Sequence, residues 1–138
     1  MSGKNNTYPH LLPLDIDLWE RFLKANTNRF LAYEYDVRVG FGRDPGAETA
    51  SNIRQMSIDL SQRRIDAIGH TDADLTIIEI TVSAGLRAIG QILAYPILFS
   101  TRNPTTLPVK ILVVANEIQT DMEIVYNRLG IPFELYPE

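Results

Sequence analysis

Three short phrases of this chain carry side chains suited to holding a cation against a charged substrate. They are Arg63-Arg64-Ile65-Asp66, then Ile78-Glu79-Ile80-Thr81, then Gln91 and Tyr95 one helical turn apart. In an extended strand successive side chains alternate faces, so Arg64, Asp66 and Ile68 share one face while Ile65 and Ala67 take the other. By the same rule Glu79 and Thr81 share a face that Ile78, Ile80 and Val82 oppose. If two such strands pair as a hairpin with Asp66 opposite or diagonal to Glu79, two carboxylates come within reach of one divalent cation. Mg2+, or Mn2+ in its place, suits that arrangement: it takes oxygen ligands, keeps several waters and is commonly held by carboxylates plus substrate phosphate. A cation there polarises a phosphodiester and lowers the pKa of an attacking water. Arg64, and Arg87 one turn before Gln91, stay protonated at working pH, so they can meet phosphate charge but cannot act as bases.

The elements that must position these residues follow from periodicity and punctuation. A first helix is expected over residues 17–26, where Asp17 with Glu20 resembles a capping box and Trp19, Phe22 and Leu23 share a face. Residues 30–39 read as a strand, because Tyr33 to Val39 alternate apolar and polar side chains. The stretch 47–60 fits either a short helix or an ordered loop. Strands over 62–69 and 75–82, joined by the turn-rich His70-Thr71-Asp72-Ala73-Asp74, form a hairpin. Ser83 can cap a helix from Ala84 with an apolar stripe of Leu86, Ile89, Leu93 and Ile97, which Pro96 should kink or end. The run Ile111-Leu112-Val113-Val114-Ala115 within 107–115 fits a strand covered on both faces, hence a sheet with a parallel component. Thr120 with Glu123 suggests a second capping box, Gly130 a helix end, and 131–136 a last strand. The order is helix, three strands, helix, strand, helix, strand: a single α/β domain over 15–138 with a mixed central sheet flanked by helices, preceded by a tail over 1–14.

A chain of 138 residues with 45% hydrophobic and 22% charged residues makes one globular domain rather than two. With no cysteine, a metal must be held by oxygen or by His10 and His70, which lack ligand spacing and read as exposed side chains. The polar start Met1-Ser2-Gly3-Lys4-Asn5-Asn6 and the lack of a membrane-length apolar run point to a host cytoplasm or virion, neither secreted nor membrane-embedded. A net charge of −4 argues against a protein that coats nucleic acid, though a local strip of Arg54, Arg63, Arg64 and Arg87 could still meet phosphate. Asp72 and Asp74 read as turn formers. Gly40-Phe41-Gly42 lacks the continuation of a phosphate loop, and no serine-histidine-acid triad is evident.

Taken together these phrases resemble the PD-(D/E)xK nuclease superfamily, a restriction-endonuclease-like fold. Asp66 matches the motif aspartate, and Glu79-Ile80-Thr81 matches the acid-x-lysine element. Gln91 and Tyr95 match the glutamine-to-tyrosine pattern of the exonuclease-like branch. The phrase Ala84-Gly85-Leu86-Arg87-Ala88-Ile89-Gly90-Gln91 is similar to small phage proteins of that branch. The resemblance implies an Mg2+-dependent deoxyribonuclease with Asp66 and Glu79 as metal ligands, and Glu20 as a further candidate acid beside its capping role. Thr81 departs from the family, where lysine orients the water and offsets charge gathering on phosphate. Arg64 or Arg87, with Arg87 preferred, could take over that charge. The alternative is a non-catalytic virion component of head, neck or tail that keeps the fold, with other virion proteins rather than DNA as partners. Either way an oligomer or assembly subunit is expected.

Overall fold

The computed structural model describes residues 11–138. Pro13 opens the first helix, α1 (Pro13–Ala25). Proline is favoured there because its fixed φ suits the first turn and its missing N–H has no intrahelical partner to lose. Asp17 and Glu20 therefore lie inside the helix, and the capping box expected of them does not form. The expected tail is correspondingly shorter, since Leu11 is buried and residues 13 and 14 are helical. His10 falls outside the described residues.

A meander follows: β1 (Ala32–Val39), α2 (Ser51–Ser61), β2 (Arg63–His70) and β3 (Leu75–Ala84). The ambiguous stretch is thus a helix. The β2–β3 turn is closed by Thr71, whose hydroxyl lies 2.8 Å from Asp74 Oδ1, and Lys110 pairs with Asp74 at 2.8 Å. His70 ends β2 with Nε2 3.0 Å from the Glu34 carboxylate.

The chain then enters α3 (Leu86–Arg102), β4 (Val109–Ile118), α4 (Met122–Leu129) and β5 (Phe133–Leu135). β3 runs on through Ala84, so Ser83 is a strand residue and Gly85 occupies the helix N-cap without a side-chain cap. Pro96 neither ends nor breaks α3. The helix keeps going because Tyr95 and Phe99 on either side of it are buried against the sheet, which outweighs one lost hydrogen bond. The expected stripe is also rearranged: Ile89 is buried with Ala88, Ile92, Tyr95 and Phe99, while Leu86, Leu93 and Ile97 face outward. At α4 the N-cap is Asp121, in the left-handed region, and neither Thr120 nor Glu123 closes a box. Gly130 does end that helix, at φ 69°, where a side chain would be disfavoured.

The strands form one five-stranded sheet in the order β1-β2-β3-β4-β5. The first three are antiparallel, and β4 runs parallel to β3 and β5. This is the mixed α/β sheet that the pattern predicts. Leu112, Val113, Val114 and Ala115 are all buried, as befits an inner strand covered by helices on both faces. α1 packs on one face, with Ile16, Trp19 and Phe22 against Ala67, Ile78, Ile80 and Val114. α3 and α4 cover the other, with Ile92, Phe99 and Tyr126 against Ile65, Ile77 and Val113. No helix among the described residues is long and apolar enough to cross a membrane.

Trp19 is the keystone of the α1 face. It is fully buried, stacks on Phe22 at 4.8 Å, meets the edges of Tyr33 and Tyr35, and donates its indole N–H to Tyr35 Oη at 3.1 Å. Trp19→Ala is expected to cost about 3–5 kcal/mol in denaturant unfolding, the usual loss for a buried tryptophan; a loss below about 1 kcal/mol would contradict this packing.

Candidate active site

The register of the β2–β3 hairpin brings the two acids together. Pairing runs from His70↔Leu75 to Ala67↔Ile78, and its continuation sets Asp66 opposite Glu79. There the ladder gives way. Asp66 Oδ2 accepts the Ile80 backbone N–H at 2.9 Å, so a carboxylate replaces a neighbouring strand's carbonyl and the strands open. The Asp66 and Glu79 carboxyls hydrogen-bond each other. Glu79, only 7% exposed, lies in the part of β3, residues 75–80, that is buried on both faces. Burial first, and then the charge of Asp66, push its pKa well above the ordinary carboxylate range, to about 10; Arg87 pulls it back and Asp15 pushes it further.

A cleft of about 900 Å³ opens at this end of the sheet. It is lined by Arg64, Asp66, Glu79, Thr81, Arg87, Gln91 and Tyr95. Gln91 Nε2 donates to Tyr95 Oη at 3.3 Å, and Tyr95 is itself buried. Burial and the nearby Glu79 push the pKa of that phenol up. Thr81 donates a long hydrogen bond of 3.4 Å to the Ser83 carbonyl.

Of the expected arginine strip, Arg64 and Arg87 reach the cleft. Arg54 does not, being held by Asp44 at 2.7 and 2.6 Å. Arg63 is exposed at the start of β2, and its charge reaches Tyr95. Glu20 lies outside the cleft lining.

Among the lining residues that the sequence reading missed, Asp15 and Gln119 bring polar side chains. Asp15 sits in the first turn of α1, where its carboxyl is pushed up by burial and by Asp66. Pro13 was the signal, since a helix starting there puts Asp15 rather than Glu20 at the cleft. Gln119 reaches in over Gly85, where a Cβ would come within 2.4 Å of its side chain.

Side-chain parity on β2 is not the simple alternation expected. Ile65 joins Ile68 in the core under α3, whereas Ala67 packs toward α1. The strand reverses its faces at Asp66.

The donor set fits a hard cation: two carboxyls in contact, one deeply desolvated, gain from a charge between them. Among the described residues no group of three or more histidine, cysteine, aspartate or glutamate side chains is disposed to hold a metal ion. A cation at Asp66 and Glu79 would therefore complete its shell with water and a substrate oxygen, as Mg2+ commonly does.

No protein-family model matches the chain, and no curated protein matches it. Among solved structures the chain is similar to the crystal structure of a protein of unknown function, AF1548, with a TM-score of 0.50 at 14% identity. The match covers 90% of this chain and 59% of that one, so the chain spans well under two thirds of its neighbour's length. A likeness at this identity establishes a shared fold and nothing of chemistry.

Proposed function

We propose that this is a nuclease-fold protein of phage or mobile-element type that holds Mg2+ or Mn2+ between Asp66 and Glu79 and hydrolyses DNA phosphodiesters through a rearranged site. The observation that carries this reading is the contact between two carboxyls, one of them buried, in the lining of an open cleft. Such a pair is unfavourable unless a proton or a cation lies between its members. When bound, the cation supplies charge neutralisation at phosphate and a more acidic attacking water.

The chain's own groups supply the rest. Arg64 and Arg87 line the cleft and carry permanent charge toward an arriving phosphate. Arg87 already acts electrostatically on Glu79, so it stands closest to the role that lysine has in the resembling family. Gln91, steadied by Tyr95, offers an amide to a water or phosphate oxygen. Thr81 offers only a hydroxyl where a cation is needed.

A second reading, a virion head, neck or tail component without catalysis, is favoured by Thr81 and by the outward-facing Leu86, Leu93 and Ile97, a surface suited to a protein partner. Incubating the protein with linear and supercoiled DNA in Mg2+ or Mn2+ separates the two. Cleavage is expected from the wild type and none from Asp66→Ala; equal inertness of both would favour the structural role.

A further inference from the structure

We propose that Asp36 is a positioning residue of this cleft: its left-handed backbone reverses the faces of β1 and β2, and its carboxylate holds the Arg64 guanidinium beside Asp66. The proposal rests on the phosphate-facing role of Arg64 given above.

The backbone argument comes from parity. Tyr33 and Tyr35 pack toward α1, with Tyr35 accepting the Trp19 indole N–H. Val37 packs into the core on the opposite face, where Val39 is buried. In an unbroken strand all four would share a face. The residue between Tyr35 and Val37 must absorb the reversal, and Asp36 does so with φ 56°. Aspartate tolerates that region better than most side chains because its short polar group can bond locally.

β2 reverses at the same level. Pairing is kept on either side, Tyr35↔Ala67 and Val37↔Ile65, so Asp36 and Asp66 face each other across the break. Ile65 is thereby carried into the core under α3, and its neighbour Arg64 is left at the cleft. The Arg64 guanidinium lies 3.4 Å from each Asp36 oxygen, both side chains being partly shielded from solvent. A guanidinium held this way loses less conformational freedom when phosphate arrives.

Two measurements test this. The first is side-chain 15N relaxation of Arg64 Nε in the free protein, which is expected to show an ordered group in the wild type and a mobile one in Asp36→Asn, a variant that retains left-handed propensity and loses the charge. The second is anisotropy of a short fluorescein-labelled oligodeoxynucleotide in Ca2+. Arg64→Ala and Asp36→Asn are each expected to weaken binding about tenfold, and Arg64→Ala also to reduce the salt slope by about one. The double variant should bind no worse than either single one, because both changes remove the same contact. Additive losses, tighter binding by Asp36→Asn, or an Arg64 that stays ordered would each overturn the proposal. Should Asp36→Asn fail to fold, Asp36→Gly, which accepts positive φ freely, takes its place in both measurements. If the wild type does not bind the oligodeoxynucleotide, the nuclease reading falls. Arg64 relaxation then decides the positioning role alone: order lost upholds it and order kept refutes it.

Discussion

Thr81→Lys is expected to raise Mg2+-dependent DNA cleavage on the order of 10²- to 10³-fold, the usual worth of one preorganised donor aimed at charge that develops in the transition state. Thr81 shares a strand face with Glu79, two positions on, and lines the same cleft. A lysine there would carry its ammonium into the space beside the acid pair. Little is lost in exchange, since the threonine hydroxyl makes only a 3.4 Å bond to the Ser83 carbonyl. The gain must depend on the acids, so Asp66→Ala/Thr81→Lys should remain inert. A Thr81→Lys protein that folds, as judged by circular dichroism, yet cleaves no faster than the wild type would show that charge at this position does not limit the rate. Arg87→Ala should act in the opposite sense, lowering wild-type cleavage and mattering less once lysine is present, if both cations serve one phosphate.

The second large effect concerns stability. In metal-free buffer the wild type should become less stable as pH rises above about 4.5, because Glu79 keeps its proton in the fold after the unfolded chain has lost it. The sign follows from the direction of the shift. A carboxyl whose folded pKa lies above its unfolded value leaves stability intact below the unfolded value and erodes it on the way up to the folded one. One such proton corresponds to about 1.4 kcal/mol per pH unit at most. Glu79→Gln has no proton to lose. It is therefore expected to melt roughly 5–10 °C above the wild type at pH 8 in EDTA, a gap of a few kcal/mol for a domain of this size. The two melting temperatures should converge near pH 4.5, and saturating Mg2+ should narrow the gap at pH 8 by stabilising the wild type alone. Parallel melting curves at every pH would mean that the Glu79 carboxyl is already relieved by other groups.

The sequence made the meander and its acids legible for a physical reason: strands with one covered face advertise it by alternation, and a charge amid isoleucines stands out against that background. Glu79 between Ile78 and Ile80, and Asp66 after Ile65, were visible in this way. Alternation fails wherever the backbone reverses, and nothing in the letters around Asp36 announced that Tyr35 and Val37 would pack on opposite sides of the sheet. Helix α3 was misread differently. It carries apolar residues around most of its circumference, so Leu86-Ile89-Leu93-Ile97 and Ala88-Ile92-Tyr95-Phe99 both satisfy helical spacing, and the sheet chose mainly the second set. Helix starts were misjudged where a plausible capping pair lay inside the element. Asp17 with Glu20 drew the boundary past Pro13 and so hid Asp15, the acid that in fact lines the cleft.

The claim on which this account turns is that Asp66 and Glu79 together bind one divalent cation. Isothermal titration of Mn2+ into metal-stripped wild type, Asp66→Asn and Glu79→Gln measures it without recourse to DNA. One saturable site in the wild type, weakened at least about tenfold in each variant as expected when one of two carboxylate ligands is removed, is the predicted result. Equal binding by all three proteins, or none by the wild type, would contradict it.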